Sequence, residues 1–235
     1  MQAIYKREMR AYFTTFIGYV FISTFLLVSS IIFVLTTLSQ GESADVTSYY
    51  TLVMFAFAIL IPLLTMKLFA DEKRLRTEVL LLTSPVSLLG IVMAKFLAAL
   101  TVFASTFLVS CVNLIPLYMY GTQNTAVIIG NIISVLLVGS AFIAVGVFMS
   151  CLTENQLVAA VTTIAAIALF LVIGMYSSGI GFAPLRAVLD FLSVFNRFTY
   201  FTYGVIDWSA LIYYASISFV FLFLTVRVYE RRRWA

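Results

Sequence analysis

The chain has 235 residues, of which 63% are hydrophobic and only 10% charged, with a mean hydropathy of +1.10. Soluble domains carry about 25% charged residues, so this composition excludes a soluble enzyme or binding module. The net charge of +4 and a pI near 9.1 would indicate a nucleic-acid partner only if the basic residues formed a patch on a soluble face. They sit instead at the ends of apolar runs, and no nucleic acid is expected.

Six apolar stretches run through the chain, roughly Tyr12 to Leu38, Tyr49 to Phe69, Leu88 to Tyr118, Ala126 to Ser150, Leu157 to Tyr176 and Ala210 to Val226. Each approaches or exceeds the ~20 residues needed to cross ~30 Å of hydrocarbon at ~1.5 Å per residue. Such spans must satisfy their backbone internally, and the period-two alternation of a barrel is absent, so helices are expected. The predicted fold is an all-α integral membrane protein with six transmembrane helices.

The N-terminal segment, residues 1–11, leads into the first span. Helical spacing sets Ile4, Tyr5, Met9, Tyr12 and Phe13 on one flank, with Lys6, Arg7 and Arg10 largely on the other. This is the pattern of a helix lying in the membrane interface; a plain basic anchor continuing into the first span fits equally. A cleaved signal is disfavoured, because the apolar run exceeds the about 7 to 15 residues of a signal core and Leu38 to Val46 offers no small-x-small site.

Between spans two and three lies the stretch 71–85, with six charges among its first eight residues. Spacing groups Leu75, Val79 and Leu82 on one face and leaves Asp71, Lys73, Arg74 and Glu78 exposed, which predicts a short amphipathic helix parallel to the membrane. Ser84-Pro85 interrupts it, and Ser84 or Ser87 is placed to cap the next helix. Charges of mixed sign suit a protein interface better than attraction to acidic lipid; a solvated connector dipping its leucines into the headgroups is the alternative.

Cys111 and Cys151 are scattered and the chain has no His, so no zinc site or other metal is expected. Asn113 and Asn131 are expected to hydrogen-bond between helices. Gly139, Ser140, Ala144, Gly146 and Ser150 give the fourth span a small-residue ridge for close contact, within the chain or between subunits. The break at Thr153, Glu154, Asn155 and Gln156 is short.

The external segment, 177–207, is longer than a turn requires. It interleaves Phe191, Phe195, Phe198, Tyr200, Phe201 and Tyr203 with Arg186, Asp190, Asn196 and Arg197, too polar to span and too apolar to float. Interfacial or re-entrant helices are expected, acting either as a lid or as an aromatic belt.

Lys6, Arg7, Arg10, Lys67, Lys73, Arg74, Arg76, Lys95, Arg227, Arg231, Arg232 and Arg233 fall on one side of this topology and only Arg186 and Arg197 on the other. The positive-inside rule then predicts cytoplasmic termini. No buried Asp, Glu, His or Arg is expected at membrane depth, which disfavours an intramembrane enzyme or an ion-coupled carrier. Nor is there a P-loop, so the chain is expected neither to bind nucleotide nor to be an enzyme.

The order of these parts resembles the ABC-2 type transporter permeases. The local likeness is strongest in DEKRLRTEVLLLTSPVSLLGIVMAKFLA, where Glu78 to Leu82, Ser84-Pro85 and Ala94-Lys95 are similar to the family's pattern. SVFNRFTYFTYGVIDWSALIYYASISFVFLFLTVRVYERRRW looks like the gliding-motility-associated branch.

The resemblance implies a permease subunit in a cell (plasma or inner) membrane, exporting a substrate with ATP and Mg²⁺ held by a separate ATP-binding subunit. This chain itself would bind no cofactor. It further implies a second permease copy or paralogue and leaves room for an accessory membrane protein with an external domain.

By the same resemblance, 71–85 is the coupling helix. Arg74, Leu75, Arg76, Thr77, Glu78 and Val79 would form the docking face, with Asp71 and Glu72 leading into it. Thr153 to Gln156 would be a secondary contact, and Phe191, Phe195, Phe198 and Tyr200 part of an external gate. The competing reading is a membrane-embedded scaffold or sensor that docks a cytoplasmic partner without transporting.

Overall fold

The computed structural model describes residues 1–38, 46–78, 87–116, 125–176, 186, 189–190, 193–204 and 207–234. These are predominantly helical, with no strand among them. Nine α-helices are described: α1 (Gln2–Thr14), α2 (Phe16–Thr36), α3 (Val46–Thr65), α4 (Ala70–Arg74), α5 (Leu88–Ser110), α6 (Thr125–Leu152), α7 (Gln156–Tyr176), α8 (Val194–Thr202) and α9 (Trp208–Trp234). A 3₁₀ turn at Cys111–Leu114 extends α5.

Six helical segments, built on α2, α3, α5, α6, α7 and α9, are long and apolar enough to cross a membrane, and the chain is a multi-pass membrane protein. The spans containing α3, α5 and α6 are the most buried and form the centre, with α2, α7 and α9 outside them. The outer helices expose large apolar side chains such as Leu27, Leu35, Leu169, Ile212 and Phe219. In water such surface would be costly; in hydrocarbon it is the solvated face.

Expected boundaries shift at the first span. Tyr12 belongs to α1, and the chain breaks at Thr15, whose φ of −92° and ψ of 152° are extended. The Thr14 and Thr15 hydroxyls donate back to the carbonyls of Arg10 and Ala11, closing the end of α1. The corner is so tight that a Cβ on Gly18 would stand 2.2 Å from the Tyr12 carbonyl oxygen, which makes glycine the residue that lets α1 fold over α2. α1 then lies against α5, burying Ile4, Glu8 and Tyr12 at i, i+4 spacing.

The small residues of α6 are used within the chain. A Cβ on Gly139 would meet the Phe103 ring at 2.2 Å, and one on Gly146 would meet Thr65 Oγ1 at 2.2 Å, so these glycines bring α5 and α3 against α6. Asn113 does reach another helix, its Nδ2 donating to Ser30 Oγ at 3.3 Å. Asn131 departs from expectation: its Nδ2 donates to the Val127 carbonyl of its own helix at 2.8 Å, because its place four residues on puts that carbonyl in reach.

Candidate functional site

The site starts from one residue of α5. Lys95 lies two turns inside the helix and is 1% exposed, although its place in the sequence reads as the edge of a charged break. A buried ammonium persists only when paired and hydrogen-bonded. Its Nζ donates to the Leu68 carbonyl at 2.6 Å and stands 3.1 Å from Glu8 Oε1 and 3.0 Å from Glu72 Oε1. Phe69 covers it, with the ring centroid 5.0 Å from Nζ. Arg7 closes the cluster, its Nη2 2.7 Å from Glu8 Oε1 and 2.6 Å from Glu72 Oε1.

Two cations and two carboxylates thus compensate one another and join α1, α4 and α5. Desolvation pulls the Arg7 pKa down, but hydrogen bonds and charge from Glu8 and Glu72 outweigh it and leave it raised. Burial pushes the Tyr12 phenol up, and the charge of Glu8 adds to this. Tyr12 donates to the Leu64 carbonyl at 3.1 Å. A cavity of about 260 Å³ opens onto the cluster, lined by Arg7, Glu8, Tyr12, Lys67, Glu72 and Lys95 among others.

A second set of contacts ties the same segment to α6, α7 and α9. The Ser150 hydroxyl of α6 accepts from the N–H groups of Phe69 and Ala70 at 3.1 and 3.2 Å and donates to the Met66 carbonyl at 3.1 Å. It thereby satisfies backbone groups that the turn between α3 and α4 would otherwise leave unpaired. Lys73 Nζ donates to the Cys151 carbonyl, and Gln156 Nε2 to Asp71 Oδ1. Arg232 Nη1 is 3.8 Å from Glu78 Oε2, and the Phe69 ring packs on Tyr229 at 5.0 Å.

Within the charged stretch the burial pattern is not the one spacing suggests. Lys73 is buried, and Leu75, expected on the apolar face, is 63% exposed. The helix also stops early. Arg76 has φ of 56°, its N–H bonds to the Lys73 carbonyl at 3.0 Å, and the Thr77 N–H bonds to the Glu72 carbonyl at 2.9 Å. This is the Schellman stop, with arginine where glycine is usual, so the stretch 71–85 is not one continuous helix.

Arg74, Leu75, Arg76 and Thr77 are exposed beside it, and Glu78 is half-buried. Val79 lies outside the described residues. Of the secondary stretch, Gln156 is brought to Asp71, and Glu154 is exposed. Thr153 Oγ1 donates to the Asn155 carbonyl, while Asn155 Oδ1 accepts from the Leu157 N–H at 2.9 Å and caps α7.

At the opposite end, Ser193 caps α8 by accepting from the Asn196 N–H at 3.0 Å. Phe198 is fully buried, the Phe195 ring packs tilted against Phe55 of α3 with centroids 5.9 Å apart, and Tyr200 is exposed. Phe191 lies outside the described residues. Arg197 stacks over Tyr213 at 4.2 Å and donates to Ser209 Oγ at 2.9 Å.

Glu8 is the residue that reading the sequence as a basic leader passes over. The signal was there, since Ile4, Glu8 and Tyr12 share one helical face. Compared with known proteins, the chain matches no family model and no curated protein.

Proposed function

We propose that the chain is the membrane-spanning subunit of an ABC-2 type transporter, working with a second permease copy or paralogue and driven by ATP and Mg²⁺ on a separate subunit. The observation that supports this most is a charged segment exposed on one side and locked to the bundle on the other. Arg74, Leu75, Arg76 and Thr77 face outward. The residues immediately before them hold α5 through Glu72 and Lys95, α6 through Lys73 and the Cys151 carbonyl, and α7 through Asp71 and Gln156.

Force applied to such a segment reaches three spans at once, as a coupling element requires. The excess of Lys and Arg at this end supports a cytoplasmic position for it by the positive-inside rule. A partner with complementary charge would then meet Arg74 and Arg76 first. α8, at the end opposite the charged cluster, belongs to the exit side in this reading.

The test is purification of the tagged chain from its own membranes in mild detergent, beside an Arg74→Glu/Arg76→Glu variant. An ATPase that accompanies the wild type and is lost from the variant, with the bundle still folded, is the expected result. A chain recovered alone, under conditions that preserve other complexes, would contradict the transporter reading and favour a scaffold.

A further inference from the structure

Two cavities meet at the end of the bundle opposite the charged cluster. The first, of about 670 Å³, is polar and presents Arg186, Asp190, Asn196, Arg197, Tyr200 and Asp207. The second, of about 570 Å³, is apolar and runs between α7 and α9, with Phe170 on one side and Ile212, Ile217, Val220 and Phe221 on the other. Arg197 and Ser209 line both. Each volume falls in the range of about 300–1,000 Å³ usual for ligand sites.

The polar groups are held in place. Arg197 is fixed by Ser209 Oγ at 2.9 Å and by the Tyr213 ring. Asp190 accepts from Asn196 Nδ2 at 3.0 Å and pairs with Arg186 at 3.6 Å. Asp207 accepts from the Ser209 N–H at 2.9 Å. Two guanidinium groups and two carboxylates therefore share one cavity, with no net charge among them.

A purely anionic ligand would meet the carboxylates, and a purely cationic one the guanidinium groups. A ligand carrying both charges, with an apolar tail beginning where the charges end, satisfies the whole surface. We propose that this composite site binds a zwitterionic phospholipid. Its phosphate lies toward Arg197, its amine toward Asp190 and Asp207, and one acyl chain lies along the groove between α7 and α9. The inference rests on this geometry and not on the transport reading.

The experiment measures binding to the full chain in mild detergent. The probes are phosphatidylethanolamine, phosphatidylglycerol and diacylglycerol with identical fluorescent acyl chains. Phosphatidylethanolamine should bind about tenfold more tightly than either competitor, the effect expected of one charge-assisted hydrogen bond gained. Asp190→Asn should move the preference toward phosphatidylglycerol. Ser216→Phe, which fills the apolar cavity from an exposed position on α9, should weaken all three without changing their order. Equal affinity for the three lipids, or a ranking that Asp190→Asn leaves unchanged, would overturn the proposal.

Discussion

At one end of the bundle, the buried Lys95 and Glu8 and the mostly buried Glu72, with the half-exposed Arg7 paired to both carboxylates, hold three elements together through charge. At the other, Phe198 and Phe201 hold α8 by apolar burial, and Tyr214 of α9 donates to the Val194 carbonyl at 2.9 Å. The difference is in how each fails. Apolar packing loses stability in proportion to the surface removed, whereas a balanced ion cluster that loses one member leaves the others buried and uncompensated. A joint of the second kind suits a segment that must move with the bundle or not at all.

The largest effect is expected of Lys95→Met, which among the described residues leaves Glu8 and Glu72 with only the half-exposed Arg7 as an ion-pair partner. It should cost about 3–5 kcal/mol, read as a lowered denaturation midpoint in detergent micelles. Adding Glu8→Gln and Glu72→Gln should restore most of that loss, since removing the whole buried charge set is far less costly than orphaning part of it. A triple variant no more stable than Lys95→Met would show that the loss does not come from uncompensated carboxylates but from the other ammonium contacts, to the Leu68 carbonyl and the Phe69 ring.

Ser150→Ala comes next. It removes the acceptor for two N–H groups and the donor to the Met66 carbonyl, so a loss of about 1–3 kcal/mol is expected. Hydrogen exchange should rise at Phe69 and Ala70 while α8 at the opposite end is unchanged.

Two left-handed positions then compare the ends directly. Gly204, with φ of 75°, follows α8, and a Cβ there would stand 3.3 Å from both Val127 Cγ2 and the Val127 nitrogen. Gly204→Ala should cost about 1–2 kcal/mol. Arg76 occupies the same region without being glycine. Arg76→Gly should be neutral or stabilising by under about 1 kcal/mol, because the relief of strain is offset by the greater freedom of glycine in the unfolded chain. Melting of the two variants side by side gives the signs.

The six spans were legible because length and hydropathy alone decide them. Ser87 as the cap of α5 was also within reach of reading, and its Oγ accepts from the Gly90 N–H at 3.2 Å. What escaped was most of what depends on how helices are rotated against each other, the interhelical bond of Asn113 and the close contacts of the α6 glycines excepted. Glu8 and Lys95 stand 87 residues apart in the chain, and no local pattern pairs them.

Lys73 reads as a solvated charge until the Cys151 carbonyl is placed beside it. Likewise, the early stop at Arg76 carries no glycine to announce it. The reverse also held, since Leu75 sits on an apolar spacing yet faces outward, because the turn that ends α4 takes it off the buried side.

Whether ion pairing locks the charged segment to the bundle is decided by a double-mutant cycle on Lys95 and Glu72. The measurement is the unfolding free energy of Lys95→Met, Glu72→Gln and the pair. A segment locked by ion pairing gives strong non-additivity, with a coupling of about 1–3 kcal/mol as found for residues sharing a buried network. Additivity within about 0.5 kcal/mol would contradict this, leaving the segment merely resting against the helices beside it.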